Sequence, residues 1–173
     1  MTKKFVYTGV AAALIAVLTM FPAIPNALGG YINLGDSIII AVSFLLGAWT
    51  IPAAGIGAML ADLMLGYTVY APGTLIIKAL VSFTAVMVMY GFKVNMTKEP
   101  KIARIIISAI CAEIVMVAGY FVYELIVFDI TYATGAIVSN LIQAAASSVL
   151  AIALCLLLIK TNVKQLLGIN KTK

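Results

Sequence analysis

Apolar residues occur along this chain in long runs, separated by short stretches that hold prolines, glycines and charged residues. A helix that crosses a bilayer needs about 20 mainly apolar residues, and several of the runs approach or exceed that length. The pattern predicts six helices, at about residues 4–21, 36–49, 52–66, 73–92, 102–128 and 135–160. The second and third are short, so we expect this pair to pack within the protein.

Composition supports a membrane location. Hydrophobic residues make up 64% of the 173 residues and charged residues 10%, whereas soluble domains hold about 45–50% and about 25%. The first apolar run passes into Pro22-Ala-Ile-Pro25 without a small-residue cleavage site, so it is interpreted as a retained helix. The sequence therefore predicts a single all-α integral membrane domain over residues 1–173, with six transmembrane helices.

The basic residues predict the orientation, because cytoplasmic loops of membrane proteins are rich in Lys and Arg. With the N-terminus inside, ten of the eleven basic residues lie inside: Lys3, Lys4, Lys93, Lys98, Lys101, Arg104, Lys160, Lys164, Lys171 and Lys173. The presumed outer connections, at residues 22–35, 67–72 and 129–134, contain none. Both termini are thus predicted to be cytoplasmic. The scattered basic residues form no single recognition element, which argues against nucleic-acid binding.

Lys78 is the remaining basic residue, and it lies inside the fourth predicted helix. A charge inside a span costs about 2.5–3.5 kcal/mol on insertion scales and tends to mark a substrate path. Asp62, near the end of the third helix, lies at a similar depth. Two interpretations stand. Lys78 is structural, either in an ion pair with Asp62 or as a lysine that snorkels outward, or it meets a substrate group in a water-accessible cavity.

Polar residues form one stripe on each of the last three predicted helices. Their spacings of three, four or seven residues place each set on one helical face. The stripes consist of Thr74, Lys78 and Ser82; of Glu113, Tyr120 and Glu124, with Tyr123 on a flank; and of Asn140, Gln143 and Ser147. Three converging stripes predict a lined pocket, and the alternative is that the small polar groups only join helices by hydrogen bonds.

The first outer connection, FPAIPNALGGYINLGDS, has the prolines and paired glycines of a shaped loop. Asn33 stands where it could cap the second helix, with Asp36 in the first turn, so capping is favoured over a ligand role for both. Tyr31 is interpreted either as an anchor at the membrane interface or as a lid over a ring-shaped ligand.

Small residues on the first helix predict close contact with another helix. Gly9 and Ala13, and Ala12 and Ala16, form two overlapping pairs spaced by four residues, a spacing that lets helix backbones approach. We interpret this face as a partner interface.

Several motifs are absent from the sequence. It contains no histidine, and Cys111 and Cys155 stand alone in separate helices, so no metal site or cofactor is predicted. It contains no phosphate-binding loop of the GxxxxGK[ST] type and no catalytic constellation. The chain is therefore not expected to be an enzyme.

Four segments carry a resemblance to a known family: NLGDSIIIAVSFLLGAW, AAGIGAMLADLMLGYTVYAPGTLIIKAL, AEIVMVAGYFVYE and NLIQAAASSVLA. Together they resemble the substrate-binding S components of energy-coupling factor (ECF) transporters, in the subgroup named riboflavin-type. The resemblance implies a six-helix, multi-pass protein of a bacterial cell membrane. It also implies that a vitamin is captured at the outer face, under the first loop, by the fourth to sixth helices.

The resemblance further implies the partners and some site residues. S components associate with a transmembrane coupling protein and two cytoplasmic ATPases, and an AxxxA motif for the coupling protein is matched by Ala12 and Ala16. The matching segments make substrate-binding candidates of Lys78, Glu113, Asn140 and Gln143. Helical geometry and loop position add Tyr31, Tyr120 and Tyr123.

These side chains would suit a small hydroxylated aromatic ring, which stacks on tyrosine while its edge takes hydrogen bonds. Pyridoxine or a hydroxymethylpyrimidine is the expected ligand. Pantothenate, whose carboxylate would pair with Lys78, is the alternative, and riboflavin fits less well. From a different class, the chain could be a structural subunit of a membrane complex.

Overall fold

A computed structural model describes residues 2–26, 29–92 and 99–168 of this chain, which is helical over most of its described length. The basic residues Lys93, Lys98, Lys171 and Lys173 lie outside this part. The helices are α1 (Thr2–Met20), α2 (Gly35–Leu46), α3 (Thr50–Leu65), α4 (Ala71–Tyr90), α5 (Ile102–Val127), α6 (Ile130–Lys160) and the short α7 (Val163–Leu166). Two short strands, β1 (Ile24–Pro25) and β2 (Tyr31–Ile32), precede α2.

The largest departure from the predicted boundaries is the start of α6, which begins at Ile130 where the sequence indicated residue 135. The Asp129 carboxylate accepts a hydrogen bond of 2.8 Å from the backbone N–H of Tyr132. A side-chain acceptor at this position satisfies an N–H group that the helix itself leaves unpaired. Asp129 therefore starts the helix more than one turn earlier than the glycine at position 135 suggested.

Helices α2 and α3 are joined by a tight turn, Gly47–Trp49. Gly47 has φ of 57°, and the Thr50 hydroxyl donates to the carbonyl of Val42 over 3.1 Å. Residues eight apart in a straight helix are about 12 Å apart along the axis, so the chain bends sharply here. Nine of the twelve residues of α2 are buried, which places this helix among the others.

Within the described residues, four segments are long and apolar enough to cross a membrane: 35–65, 71–90, 102–127 and 130–160. The first of these includes the bend between α2 and α3. The apolar part of α1, Phe5–Met20, is shorter. Many large apolar side chains point outward, including Phe5, Ile76 and Val149. Such outward-facing apolar residues suit a lipid environment, so the fold is that of an all-α membrane protein.

Glycines allow close helix packing at two crossings. A Cβ atom at Gly57 of α3 would overlap the backbone carbonyl of Ala12 in α1. A Cβ atom at Gly55 would lie 2.5 Å from the carbonyl oxygen of Leu75 in α4. Backbones therefore meet directly on both sides of α3, as is common where small residues line helix contacts in membranes.

The two strands form a small antiparallel ribbon that covers one end of the helix bundle. Ile24 pairs with Ile32, and Pro25 pairs with Tyr31. The Asn26 side chain accepts a hydrogen bond of 2.9 Å from the N–H of Gly30, which closes the ribbon. This arrangement holds Tyr31 over the end of α3, where its hydroxyl reaches Asp62.

Candidate ligand-binding site

A polar hollow lies beneath the ribbon, where α3 and α5 end and α4 and α6 begin. Its lining consists of Asn26, Gly30, Tyr31, Asn33, Asp62, Tyr70, Thr74, Tyr120, Glu124, Asn140 and Gln143. The enclosed space is about 30 Å³, which has room for one or two water molecules. A ring-shaped ligand therefore requires some of these side chains to move apart.

Asp62 lies at the α3 side of the hollow, with only 2% of its surface exposed. Its Oδ1 accepts a 2.5 Å hydrogen bond from the Tyr31 hydroxyl, and the Tyr31 ring packs on Tyr67 with centroids 4.6 Å apart. Thr74 lies near this carboxyl group, but Oδ2 accepts no hydrogen bond of standard geometry in the described part of the chain. The partner of Asp62 is thus Tyr31, and the pairing with Lys78 considered from the sequence does not form.

Glu124 provides a second carboxyl group on the opposite wall, with 3% of its surface exposed. The Tyr70 hydroxyl lies 3.4 Å from Oε1 and 2.8 Å from the Tyr132 hydroxyl. The Asn140 amide lies near Glu124, but Oε2 of Glu124 and Nδ2 of Asn140 form no hydrogen bond of standard geometry among the described residues. The hollow therefore presents two carboxyl oxygens and one amide N–H group that a ligand can still engage.

Lys78 lies at the inner end of the hollow and is paired with Asp36. Its Nζ atom lies 2.7 Å from both carboxylate oxygens of Asp36, and both side chains are buried. The same ammonium lies 5.2 Å from the centre of the Tyr120 ring. Asp36 thus neutralises the lysine. It is not the cap of α2, because the N-cap position of this helix is occupied by Leu34, which forms no side-chain capping hydrogen bond. Lys78 itself does not line the hollow.

The side chains of Gln143 and Asn33 connect α6 to the start of α2. Gln143 Oε1 accepts from the backbone N–H of Asn33 over 2.9 Å, and its Nε2 donates to Asp36 over 2.9 Å. The Asn33 side chain accepts from the N–H of Gly35, the first residue of α2. Asn33 thus satisfies the first N–H group of α2, although it precedes the N-cap residue by one position. Both ends of the Gln143 amide are occupied.

Tyr120 lines the hollow and exchanges a 2.9 Å hydrogen bond with Thr74. Tyr123, predicted beside it, lies outside the hollow. Its ring covers Gly73, where a Cβ atom would approach within 2.6 Å, and its hydroxyl donates to the carbonyl of Val69. Tyr123 therefore fixes the start of α4 against α5.

Glu113 also lies outside the hollow. It borders a separate apolar groove of about 520 Å³ between α5 and α6, although only 3% of its surface is exposed. Neither of its carboxyl oxygens has a hydrogen-bond partner in the described residues. Glu113 therefore does not line the hollow with Tyr31, Asn140 and Gln143. It lies within electrostatic range of the ion pair of Lys78 and Asp36.

The four small residues of α1 divide between two surfaces. Ala16 is buried inside the chain, and Ala12 packs against Gly57 of α3. Gly9 and Ala13 are exposed. Part of the predicted partner interface is thus used for packing within this chain.

Glu124 and Thr74 belong to the polar stripes that predicted a pocket, and both line the hollow, although neither was selected as a binding residue. Other lining residues were missed. Tyr70 lies in a short connection next to Pro72, where the sequence indicates a turn but no direction for the ring. Asn26 reaches the hollow because the ribbon folds over the ends of the helices.

Tyr31 and Tyr70, which lie outside the spans, act as hydrogen-bond donors. Burial, and then the nearby Asp62, raises the pKa of Tyr31 far above its usual value. Burial and the contact with Tyr132 raise the pKa of Tyr70 in the same direction. Both hydroxyls therefore keep their protons and can donate to the carboxylates.

An all-α membrane bundle with one small, polar, loop-covered hollow among its described residues defines a class of membrane proteins that bind a solute. A sequence model described as ECF-type riboflavin transporter, S component, matches residues 1–161. The chain belongs to this family and is an S component of an ECF transporter. Its family is one of transport proteins.

A relative from Pyrococcus woesei is 32% identical over 132 residues. The match covers 75% of this chain and 84% of the relative. That protein is described as "Uncharacterized protein in gap 3'region". It extends the sequence similarity without adding a function.

Proposed function

We propose that this S component binds a small ring-shaped vitamin or precursor, pyridoxine or a hydroxymethylpyrimidine, in the hollow beneath the ribbon. The observation that carries the proposal is the lining itself. It combines three tyrosines with carboxyl and amide groups, and several of those polar atoms are unpaired. Aromatic faces hold a flat ring, and a few polar groups fix its orientation.

The ion pair of Lys78 argues against pantothenate. A pantothenate carboxylate would need a free cation, but the ammonium of Lys78 is held by both oxygens of Asp36. Riboflavin would need a large aromatic surface for its ring system. The tryptophan, Trp49, packs on Phe5 at the turn between α2 and α3, away from the hollow.

Ligand entry requires the ribbon to move. The Tyr31 hydroxyl ties β2 to Asp62, and the Asn33 backbone ties the following residues to Gln143. Release of the Tyr31 contact would open the hollow toward the loop side and free Oδ1 of Asp62 for a ligand. We propose that Tyr31 acts as the lid considered from the sequence.

Transport across the membrane requires partner proteins in this proposal. The proposed complex contains a transmembrane coupling protein and two cytoplasmic ATPases, and the exposed Gly9 and Ala13 offer a face for helix contact. The positive-inside distribution supports cytoplasmic termini in a bacterial cell membrane, with the ribbon outside. A membrane-impermeant thiol reagent applied to intact cells checks this orientation, because it should label Thr134→Cys and spare Lys101→Cys.

The binding proposal is tested by thermal unfolding of the detergent-purified protein. Micromolar pyridoxine or hydroxymethylpyrimidine should raise the unfolding temperature, since a ligand at about 100 times its Kd adds about 2.7 kcal/mol of stability. Asn140→Leu, which removes a lining amide, should reduce this gain, whereas the outward-facing Val149→Ala should keep it. A protein that responds to no vitamin would instead be a structural subunit.

A further inference from the structure

We propose that the hollow selects a ligand that brings positive charge and N–H or O–H donors to Asp62 and Glu124, and that it rejects carboxylate ligands. This inference rests on the proposed function, because it names the chemistry of the ligand for the same hollow. It assigns the two acidic residues as the groups that determine specificity. Neither was selected as a ligand-binding residue from the sequence.

The charges of the lining give the first argument. Asp62 and Glu124 are the acidic side chains among the described residues that line the hollow, and no lysine or arginine is among them. Lys78 lies behind Tyr120 and is neutralised by Asp36 at 2.7 Å. A ligand in the hollow therefore meets two acids without a free cation, and a ligand carboxylate would be repelled.

The unpaired atoms give the second argument, independent of the charge count. Asp62 Oδ2 and Glu124 Oε2 belong to side chains that are 2% and 3% exposed. Thr74 lies near Asp62 and Asn140 lies near Glu124, but neither of these oxygens accepts a hydrogen bond of standard geometry from the described residues. Buried acceptors without partners are unfavourable, so a ligand that supplies donors gains binding energy there. The unpaired Nδ2 of Asn140 adds one donor.

The complement of this set is a ligand with at least two donors and one acceptor. A nitrogen heterocycle with an amino, aminomethyl or hydroxymethyl group has this pattern, with the ring nitrogen as acceptor or, when protonated, as a further donor. The rings of Tyr70 and Tyr120, with centroids 6.3 Å apart, add aromatic faces that attract a cation. Charge, hydrogen bonding and ring surface thus favour the same ligand class.

The test is a calorimetric titration with three compounds that share one ring: pyridoxine, its aminomethyl analogue pyridoxamine, and its carboxylate analogue 4-pyridoxic acid. Pyridoxamine and pyridoxine should bind, and pyridoxic acid should bind at least about tenfold more weakly. Glu124→Gln and Asp62→Asn should each weaken pyridoxamine about tenfold or more, because charge-assisted hydrogen bonds are lost. Both variants should also reduce the difference in affinity between pyridoxamine and 4-pyridoxic acid.

Asp129→Asn is the matched control, since it neutralises an exposed acid outside the hollow and keeps the capping oxygen. It should leave all three affinities unchanged. Equal binding of pyridoxamine and pyridoxic acid by the unaltered protein would overturn the charge inference and leave the proposed function standing. Because that comparison needs no variant, poor folding of Glu124→Gln would not obscure it. If none of the three compounds nor a hydroxymethylpyrimidine bound, the proposed function itself would fall.

Discussion

Lys78 and Asp36 form a buried ion pair that connects α4 to the first turn of α2. Removal of one member of such a pair leaves a charge buried in the membrane interior, which is more damaging than the removal of both. The amide of Gln143 also donates to Asp36, so the pair holds three helices together. We therefore regard it as the support of the inner end of the hollow.

The variant Lys78→Met should lower the free energy of unfolding by about 3–5 kcal/mol, the usual effect of breaking a buried pair. The double variant Lys78→Met with Asp36→Asn should recover most of this loss, since neither member of the pair is then charged and the amide oxygen introduced at position 36 could still accept from Gln143. Chemical denaturation in detergent micelles measures both.

Ligand binding by the double variant shows whether Lys78 only supports the hollow or contacts the ligand directly. We expect the folded double variant to bind with an affinity close to that of the unaltered protein. A loss of tenfold or more, about 1.4 kcal/mol, would show that Lys78 itself touches the ligand, as the sequence analysis predicted.

One of the interpretations left open for Lys78 was an ion pair, and the sequence suggested Asp62 for it where the structure has Asp36. Asp62 was chosen because it lies at the same depth on the neighbouring helix in the chain. Asp36 was assigned to capping because of its place in the first turn of α2. Depth and position are local properties, whereas the actual pairing depends on α2 crossing α4, which no local pattern specifies.

The short helix α7 shows the same limit at the level of an element. The sequence pattern placed Lys164 only in a basic tail, whereas the structure buries it against the C-terminal ends of α2 and α4. Its ammonium donates to the Tyr90 hydroxyl over 2.8 Å and lies 3.8 Å from the centre of the Phe44 ring. The Tyr90 hydroxyl in turn donates to the carbonyl of Phe44 over 2.5 Å. One lysine thus anchors α7 to two other helices.

The stability contributed by α7 should depend on pH. Burial lowers the pKa of Lys164 to about 8, and the neighbouring Glu99 and Cys155 only partly oppose this shift. An exposed lysine keeps its proton to a pKa of about 10.4. The docked state therefore binds fewer protons between these values, and its stability should rise as pH increases from about 8 towards 10.

Thermal unfolding measured across this pH range checks the expectation, with Lys164→Met as the control that keeps the packing volume but cannot titrate. The difference in unfolding temperature between the unaltered protein and this variant should grow in favour of the unaltered protein above pH 8 and stay constant below it. Parallel pH profiles would show that Lys164 does not carry the effect.

Helix boundaries were easier to predict than helix contacts. The apolar runs and the breakers located every long helix of the described residues to within a few positions, since both signals are local. The early start of α6 was missed because the Asp129 cap outweighs the glycine that follows. A sequence that contains both signals does not show which one prevails.

For the whole molecule, the sequence could predict polar stripes but not their convergence. Asn140, Gln143 and Tyr120 do meet in one hollow, whereas Glu113 and Tyr123 face other surroundings. The ribbon determines several of the other lining residues, because it and the residues beside it bring Asn26, Tyr31 and Asn33 over the ends of the helices. Such placement depends on the full arrangement of the chain.

The central claim is that this hollow holds a small vitamin with donor groups, and the most direct measurement is mass spectrometry of small molecules released from the gently purified protein. We expect a stoichiometric amine- or hydroxymethyl-bearing nitrogen heterocycle from the unaltered protein and much less from Glu124→Gln. The Asp129→Asn variant should release as much as the unaltered protein. A released carboxylate compound, or equal release from Glu124→Gln, would contradict the account.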